Sequence, residues 1–312
     1  MQKCFKSILL LLALLMMAQL CGCTTPEAPP GEGHTFTDST GETVALRSSP
    51  QRVAALFSSH AEIWMLAGGT LTVTVGETLE RGIVSGEGVT LVDSGAGKQI
   101  DVEALIAAAP DLVIGSADVP AQIEAATVLR QAGIPVALFR VETFTDYLSM
   151  LKTCTDITGR ADLYAANGTA LQTAIDALIA EKPFAGKRIL FTRATASTVK
   201  AKASADHFVA AMLTELGAVN IADEAPLLLD GLSMEAVLQE DPDYIFFTVM
   251  GNESTVRDFV AKALQEPEWQ ALDAVQSGRY AILSKDLFHY KPNARWQAAY
   301  EALAALSLYD DG

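Results

Sequence analysis

From Arg52 onward, short apolar runs alternate with stretches whose apolar residues recur at helical spacing. Runs at Val53–Phe57, Leu71–Val75, Leu112–Ile114 and Pro135–Phe139 predict strands, because each is short, apolar and bounded by turn formers. Amphipathic stretches at Ala61–Ala67, Val102–Ala109 and Ala121–Ala132 predict the helices between them. A second series follows the same plan, with strands at Arg188–Phe191, Tyr244–Thr248 and Tyr280–Leu283. Its helices are predicted at Phe208–Leu216, Met234–Gln239 and Val256–Leu264. Such alternation implies βαβ units and mainly parallel sheets, buried on both faces.

An internal repeat relates the two series. Glu103-Ala104 leads to Pro110-Asp111 and a buried strand, and Glu235-Ala236 leads to Pro242-Asp243 and another, each pair 132 positions apart. Proline disfavours the helical conformation in the residue before it, so both helices are expected to stop there. Two lobes of similar build follow. Between them, residues 144–182 are helix-compatible almost throughout, with Gly159 and Gly168 marking breaks or close contacts. A helical connector predicts a stiff hinge.

The N-terminus has a different pattern. Lys3 and Lys6 precede the unbroken apolar run Ile8–Ala18, which is too short for a span of roughly 20 residues. A basic flank, a short apolar core and a small residue near the end describe a secretory signal peptide. The segment closes on Leu20-Cys21-Gly22-Cys23, which resembles the lipobox of bacterial lipoproteins, with Cys21 where a smaller residue is usual. That resemblance implies cleavage before Cys23 and lipidation of its thiol. The expected organisation is a signal peptide over 1–22, a lipid-anchored flexible spacer over 23–34, a first lobe over 35–143, a connecting helix over 144–182 and a second lobe over 183–312.

Cysteine usage and charge narrow the picture. With Cys4 and Cys21 removed and Cys23 modified, only Cys154 remains, so no intrachain disulfide framework is available. Cys154 follows Tyr147, Leu148 and Leu151 on one apolar face and is expected to be buried. The 312-residue chain carries a formal charge of −16, and losing two lysines with the signal deepens it to −18. An acidic body of this kind excludes nucleic acid as a partner and leaves the lipid as the membrane contact.

Several segments together resemble the substrate-binding proteins of ABC importers for iron complexes and cobalamin. They are Pro50-Gln51-Arg52-Val53, Ser59-His60-Ala61-Glu62, Leu66-Ala67-Gly68-Gly69, Val102-Glu103-Ala104-Leu105 with Pro110-Asp111, Ser233-Met234-Glu235 with Asp241-Pro242-Asp243, and Gly278-Arg279-Tyr280. The likeness runs from about Arg47 to the C-terminus. It implies an α/β fold of two Rossmann-like lobes with mainly parallel sheets, bridged by one long helix. It also implies a monomeric receptor, with no catalytic role and no cofactor, lipid-anchored on the extracytoplasmic face of the cell membrane. Its partners would be a permease dimer with its ATPase and a small-molecule metal chelate. Glu103 and Glu235 would dock on the two permease subunits.

Ligands of open parallel sheets bind beyond the carboxyl ends of the strands. That rule selects Ser59, His60, Glu77 and Arg140 in the first lobe, and Arg193 and Met250 in the second. It adds the run holding His289, Tyr290, Lys291 and Arg295, where aromatic faces and cations suit a bulky anionic chelate. Ser58-Ser59 is also expected to cap the helix that follows. A ferric siderophore is the first expectation for the ligand; haem or cobalamin is the alternative within the class. A Zn²⁺ or Mn²⁺ receptor is the next rival, requiring His60, His207 and His289 to converge. The chain contains no Gly-x-Gly-x-x-Gly, phosphate-loop, Gly-x-Ser-x-Gly or His-Glu-x-x-His motif, which argues against an enzyme. Asp93-Ser94-Gly95-Ala96-Gly97-Lys98 is glycine-rich without phosphate-loop spacing and is expected to be a flexible rim loop.

Overall fold

The computed structural model describes residues 33–93 and 99–307. The signal segment, Cys23 and residues 94–98 of the glycine-rich loop therefore lie outside the described residues. The chain opens with an antiparallel hairpin, β1 (His34–Thr37) and β2 (Thr43–Leu46). His34 is thus the first residue of a strand and not part of the spacer. The buried Asp38 carboxylate fastens this hairpin to the first lobe by accepting from Leu138 N–H (3.0 Å) and Arg130 (2.9 Å).

The first lobe is built on β3 (Val53–Ala55), β4 (Val73–Thr74), β5 (Thr90–Leu91), β6 (Leu112–Ser116) and β7 (Val136–Phe139), in the spatial order β5-β4-β3-β6-β7. All its pairings are parallel. The second sheet runs β10-β8-β11-β12, from β8 (Arg188–Ala194), β10 (Val219–Asn220), β11 (Tyr244–Val249) and β12 (Tyr280–Ile282). One strand, β9 (Val199–Ala201), joins β8 antiparallel. The fully buried runs of β3, β6, β7 and β11 explain why these strands read as continuous apolar sequence.

Helices cover the sheets. The first lobe has α1 (Ser58–Leu66), α2 (Gly76–Glu80), α3 (Val102–Ala107) and α4 (Pro120–Gln131). The connector is divided. A first helix, α5 (Phe144–Thr158), opens with a Thr143/Asp146 capping box and packs on α1. It ends at Gly159, whose φ of 71° is the left-handed closure glycine adopts without strain. The bridge proper is one helical rod, running from α6 (Ala161–Tyr164) through a π-turn at Ala165–Thr169 into α7 (Ala170–Glu181). Widening at a π-turn frees backbone carbonyls. Tyr147 Oη donates to that of Asn167 (2.8 Å), and Asn167 in turn donates to Leu66 O on the first lobe (3.1 Å). Gly168 allows the close packing, since a Cβ there would stand 3.2 Å from Leu148 and 3.3 Å from Leu151.

The second lobe carries α8 (Phe208–Glu215), α9 (Met234–Glu240) and α10 (Glu253–Ala263). A short α11 (Lys285–Phe288) leads through a 3₁₀ turn at Asn293–Arg295 into α12 (Trp296–Ala305), which packs on α7. One apolar core is continuous through both lobes and the bridge. It includes Val53 and Phe139 of the first sheet, Leu151 and Ile175 of the connector, and Phe191, Phe246 and Trp296 of the second lobe. Cys154 lies within it, and burial raises its thiol pKa to about 12. A shared core of this kind makes the hinge stiff, because relative motion of the lobes must repack it.

Candidate functional site

The sheet orders define where a cleft must form. In the first sheet the chain moves to one side of β3 through β4 and to the other through β6, so the strand ends diverge between β3 and β6. There Gln122, in the first turn of α4, spans the gap. Its Nε2 donates to Leu56 O and its Oε1 accepts from Ser116 N, both at 2.7 Å. The corresponding gap in the second sheet lies between β8 and β11, where Thr192 donates to Phe246 O (2.9 Å) and Thr248 to Thr192 O (3.1 Å). Sequence reasoning missed Gln122. Its only local signal is a polar residue on an otherwise apolar helix face.

The lobes face each other across these strand ends, and a cavity of about 590 Å³ opens between them. Glu62, Arg81 and Ile83 line it from the first lobe, with Glu253, Lys285, Asp286, Tyr290 and Arg295 opposite. Arg81 is the hub of this wall. Its guanidinium donates to Glu62 (2.8 Å), Ser58 (3.0 Å) and Ser59 (3.3 Å), and lies 4.4 Å from the Tyr290 ring centroid. Ser58 Oγ donates to Glu77. Burial and the Glu77 carboxylate raise the Tyr290 phenol above its ordinary value. Asn293 ties the wall to the second lobe's chain, with Nδ2 donating to Ser59 O (3.0 Å) and to Glu62 (2.9 Å). Arg81 stands four residues after Glu77, one helical turn on. That spacing is the signal that could have found it.

Beyond this wall lies a second group. Lys291 bonds Glu142 across the lobes at 2.6 Å, with its Nζ 4.9 Å from the Phe208 ring centroid. Arg193, near the end of β8, is half-buried and makes no salt bridge with any described residue. Burial lowers its pKa, and Glu142 opposes that shift. His289 Nδ1–H donates to Val249 O (3.2 Å), which leaves the Nε2 lone pair unused by that bond. Burial, then Lys285, lowers its pKa. Met250 is exposed just beyond β11.

The structure therefore gathers Ser59, Glu77 and Tyr290 on one wall and Arg193, His289 and Lys291 in the second group. Arg295 stands at the rim, paired with Asp286 (2.7 Å), and Arg140 is exposed and paired with Asp118 (2.6 Å). Two expectations are corrected. His60 is only 2% exposed, donates from Nδ1 to Gly115 O (3.1 Å) and packs against Phe57 and Phe139. It supports the floor of the cleft from below, and burial lowers its pKa to about 4. Ser58 and Ser59 sit inside the first turn of α1 and not at its cap. Phe57 holds the N-cap position, and the hydroxyls serve Glu77 and Arg81 instead. Trp296 belongs to the core, edge-on to Phe144 and Phe208.

The three histidines of the metal-ion alternative do not converge. His207 caps α8 by accepting from Val209 N (3.2 Å), and burial, then Arg193, lowers its pKa to about 3. Among the described residues, no group of three or more His, Cys, Asp and Glu side chains is arranged to hold a metal ion. Glu103 and Glu235 are exposed in the first turns of α3 and α9, behind the caps Asp101 and Ser233. No described helix is long and apolar enough to cross a membrane.

Comparison with known proteins gives three concordant findings. A sequence model of the family described as periplasmic binding protein matches residues 53–287. A cobalamin-binding protein of Halobacterium salinarum is 26% identical over 281 residues, covering 84% of this chain and 73% of that protein. Among solved structures, the siderophore-binding protein BauB, bound to two molecules of acinetobactin and ferric iron, superposes with a TM-score of 0.70 at 16% identity, covering 89% of this chain and 99% of that one. The periplasmic vitamin B12 binding protein BtuF of Vibrio cholerae gives 0.65 at 19% identity, covering 85% and 99%. At these identities the two structures speak for the fold.

Proposed function

This chain belongs to the periplasmic binding protein family, and on that premise we propose that it is the extracytoplasmic receptor of an ABC-type importer, holding an iron complex, above all a ferric siderophore, between its lobes. The observation that carries the reading is Arg193, a half-buried cation at the mouth of a central strand with no carboxylate in salt-bridge contact among the described residues. Desolvating a cation without a partner is costly, so such a site favours an anionic ligand that completes it. Lys291 bonds Glu142, the carboxylate whose field also reaches Arg193, while Arg81 and Tyr290 line the cavity between the lobes. The cavity lining itself balances three acids against three cations, so an anionic metal chelate matches Arg193 as the cation without a salt bridge.

Cobalamin is the second reading, favoured by the Halobacterium salinarum relative. Thermal-shift screening against ferric catecholates, ferric hydroxamates, haemin, cyanocobalamin, Zn²⁺ and Mn²⁺ separates the classes, because a bound receptor is stabilised by mass action. Stabilisation by a ferric chelate is the expected result. Stabilisation by cyanocobalamin alone, or by free Zn²⁺ alone, contradicts the iron reading.

The partner is a permease dimer with its ATPase, met through Glu103 and Glu235, while the receptor itself acts as a monomer. Cys23 supplies the lipid anchor after cleavage of residues 1–22, and two acyl chains on one diacylglycerol suffice for stable attachment. Cys23→Ala is expected to move the protein from the membrane to the soluble fraction with ligand binding intact. Retention in the membrane fraction would count against the anchor.

A further inference from the structure

Glu142 stands in the loop after β7, with its backbone N–H fixed by Asp146 (3.0 Å), and its carboxylate crosses the cleft to Lys291 at 2.6 Å. The Lys291 side chain is only 16% exposed, whereas that of Glu142 is 44% exposed. One carboxylate thus faces two cations of the opposite lobe, Lys291 by direct contact and Arg193 through its field. The positive field extends further. Burial is the first cause of the low pKa of both His207 and His289, and Arg193 adds to it in each.

We propose that Glu142 is the resident counter-ion of Lys291, and that a carboxylate of the ligand takes its place, so that the accepted class is a ferric chelate with at least one free carboxylate. This rests on the reading of the cleft as an iron-complex site and adds a selection rule to it. Lys291 packs over Phe208 in a largely desolvated position, so removing its partner without replacement leaves a costly unpaired charge. A ligand carboxylate exchanges one pair for another and frees the exposed Glu142 side chain to water. A neutral ligand cannot make that exchange. It must either leave the Glu142–Lys291 contact closed across the cleft or strand Lys291. The same contact therefore admits one class and discriminates against the other.

Glu142→Gln tests this, because it keeps the size of the side chain and removes the competing charge. Affinities of purified wild type and variant for ferric citrate, a ferric tricatecholate and cyanocobalamin are measured by equilibrium titration. The variant is expected to bind ferric citrate roughly three- to tenfold more tightly, the scale of a partly exposed charge pair, with cyanocobalamin unchanged. Lys291→Met is expected to weaken ferric citrate by a similar factor. Equal or weaker binding of ferric citrate by Glu142→Gln overturns the exchange. If the ferric tricatecholate binds both proteins and ferric citrate binds neither, the exchange fails while the iron reading stands. Binding of cyanocobalamin alone removes both.

Discussion

The two lobes are alike where they face outward and different where they face each other. At the repeat, Asp101 and Ser233 each cap a helix by accepting from the N–H three residues on, and Glu103 and Glu235 follow at the same exposed position. Both helices end in a non-glycine residue of positive φ, Ala109 at 45° and Asp241 at 40°. The Asp after each proline then holds the start of the preceding sheet strand, Asp111 bonding Arg52 N (2.9 Å) and Asp243 bonding Arg188 N (2.7 Å). The inner faces have diverged. In the first lobe Arg81 and Arg140 are paired within the lobe, leaving Glu77 and Glu142 directed at the cleft. In the second, Arg257 and Arg295 are paired within the lobe, leaving Arg193 and Lys291. Duplicated outer geometry suits a partner with two equivalent subunits. Opposite charge on the inner faces suits a ligand with no such symmetry.

The comparison can be broken first at its outer faces. If Glu103 and Glu235 dock as proposed above, Glu103→Lys with Glu235→Lys is expected to lower ligand uptake by about a hundredfold or more, with the affinity of the purified receptor unchanged, since repulsion would replace attraction at both contacts. Either single reversal is expected to have an intermediate effect, and similar values for the two would sharpen the equivalence. Unaltered uptake by the double variant contradicts docking through these residues.

A smaller effect is expected where the sheets open. Gln122→Ala leaves Leu56 O and Ser116 N without their partners at a buried site, and should cost about 2–4 kcal/mol by urea unfolding. A loss under 0.5 kcal/mol would show that the first-lobe gap needs no such bridge.

Each lobe also buries one neutral histidine, His60 in the first and His207 in the second. Their folded pKa values, about 4 and about 3, lie below the ordinary 6.5. As pH falls below about 6.5 the unfolded chain takes up protons that the folded chain refuses, so native stability is lost progressively toward the folded values. Stability at pH 4.5 should be lower than at pH 7.5 by roughly 5 kcal/mol beyond the contribution of the carboxylates, about half from each histidine. His60→Gln with His207→Asn, the latter retaining a capping side chain, should flatten that decline. An unchanged pH profile would place the sensitivity elsewhere.

Much of the frame was legible in the sequence because it is local. Buried parallel strands are apolar runs, and Pro-Asp after a helix marks its end, so the two lobes and their repeat could be read directly. The β1–β2 hairpin was missed because its strands are short and alternate polar with apolar positions. The antiparallel β9 was missed because nothing local distinguishes Val199–Ala201 from a loop. The strand-mouth rule picked out Glu77, Arg193, Tyr290 and Lys291, which the structure places among the two groups described above. It misplaced His60, because a histidine in the first turn of the helix after a strand can turn inward when a carbonyl such as Gly115 O accepts from it. Glu142 closes the strand-mouth segment Arg140–Glu142 and lay within reach of the same rule, whereas Asn293 acts through partners far away in sequence. Asn293 reaches Ser59 across more than two hundred positions, and no periodicity encodes such a contact.

The most direct test of the account is the affinity of Arg193→Gln for the ferric chelate that stabilises the wild-type receptor, measured by equilibrium titration of purified protein. The account predicts a loss of about tenfold or more, because a buried charge-assisted contact to the ligand is removed, with no change in the unliganded fold. An unchanged dissociation constant would contradict the claim that Arg193, which makes no salt bridge with any described residue, receives an anionic complex.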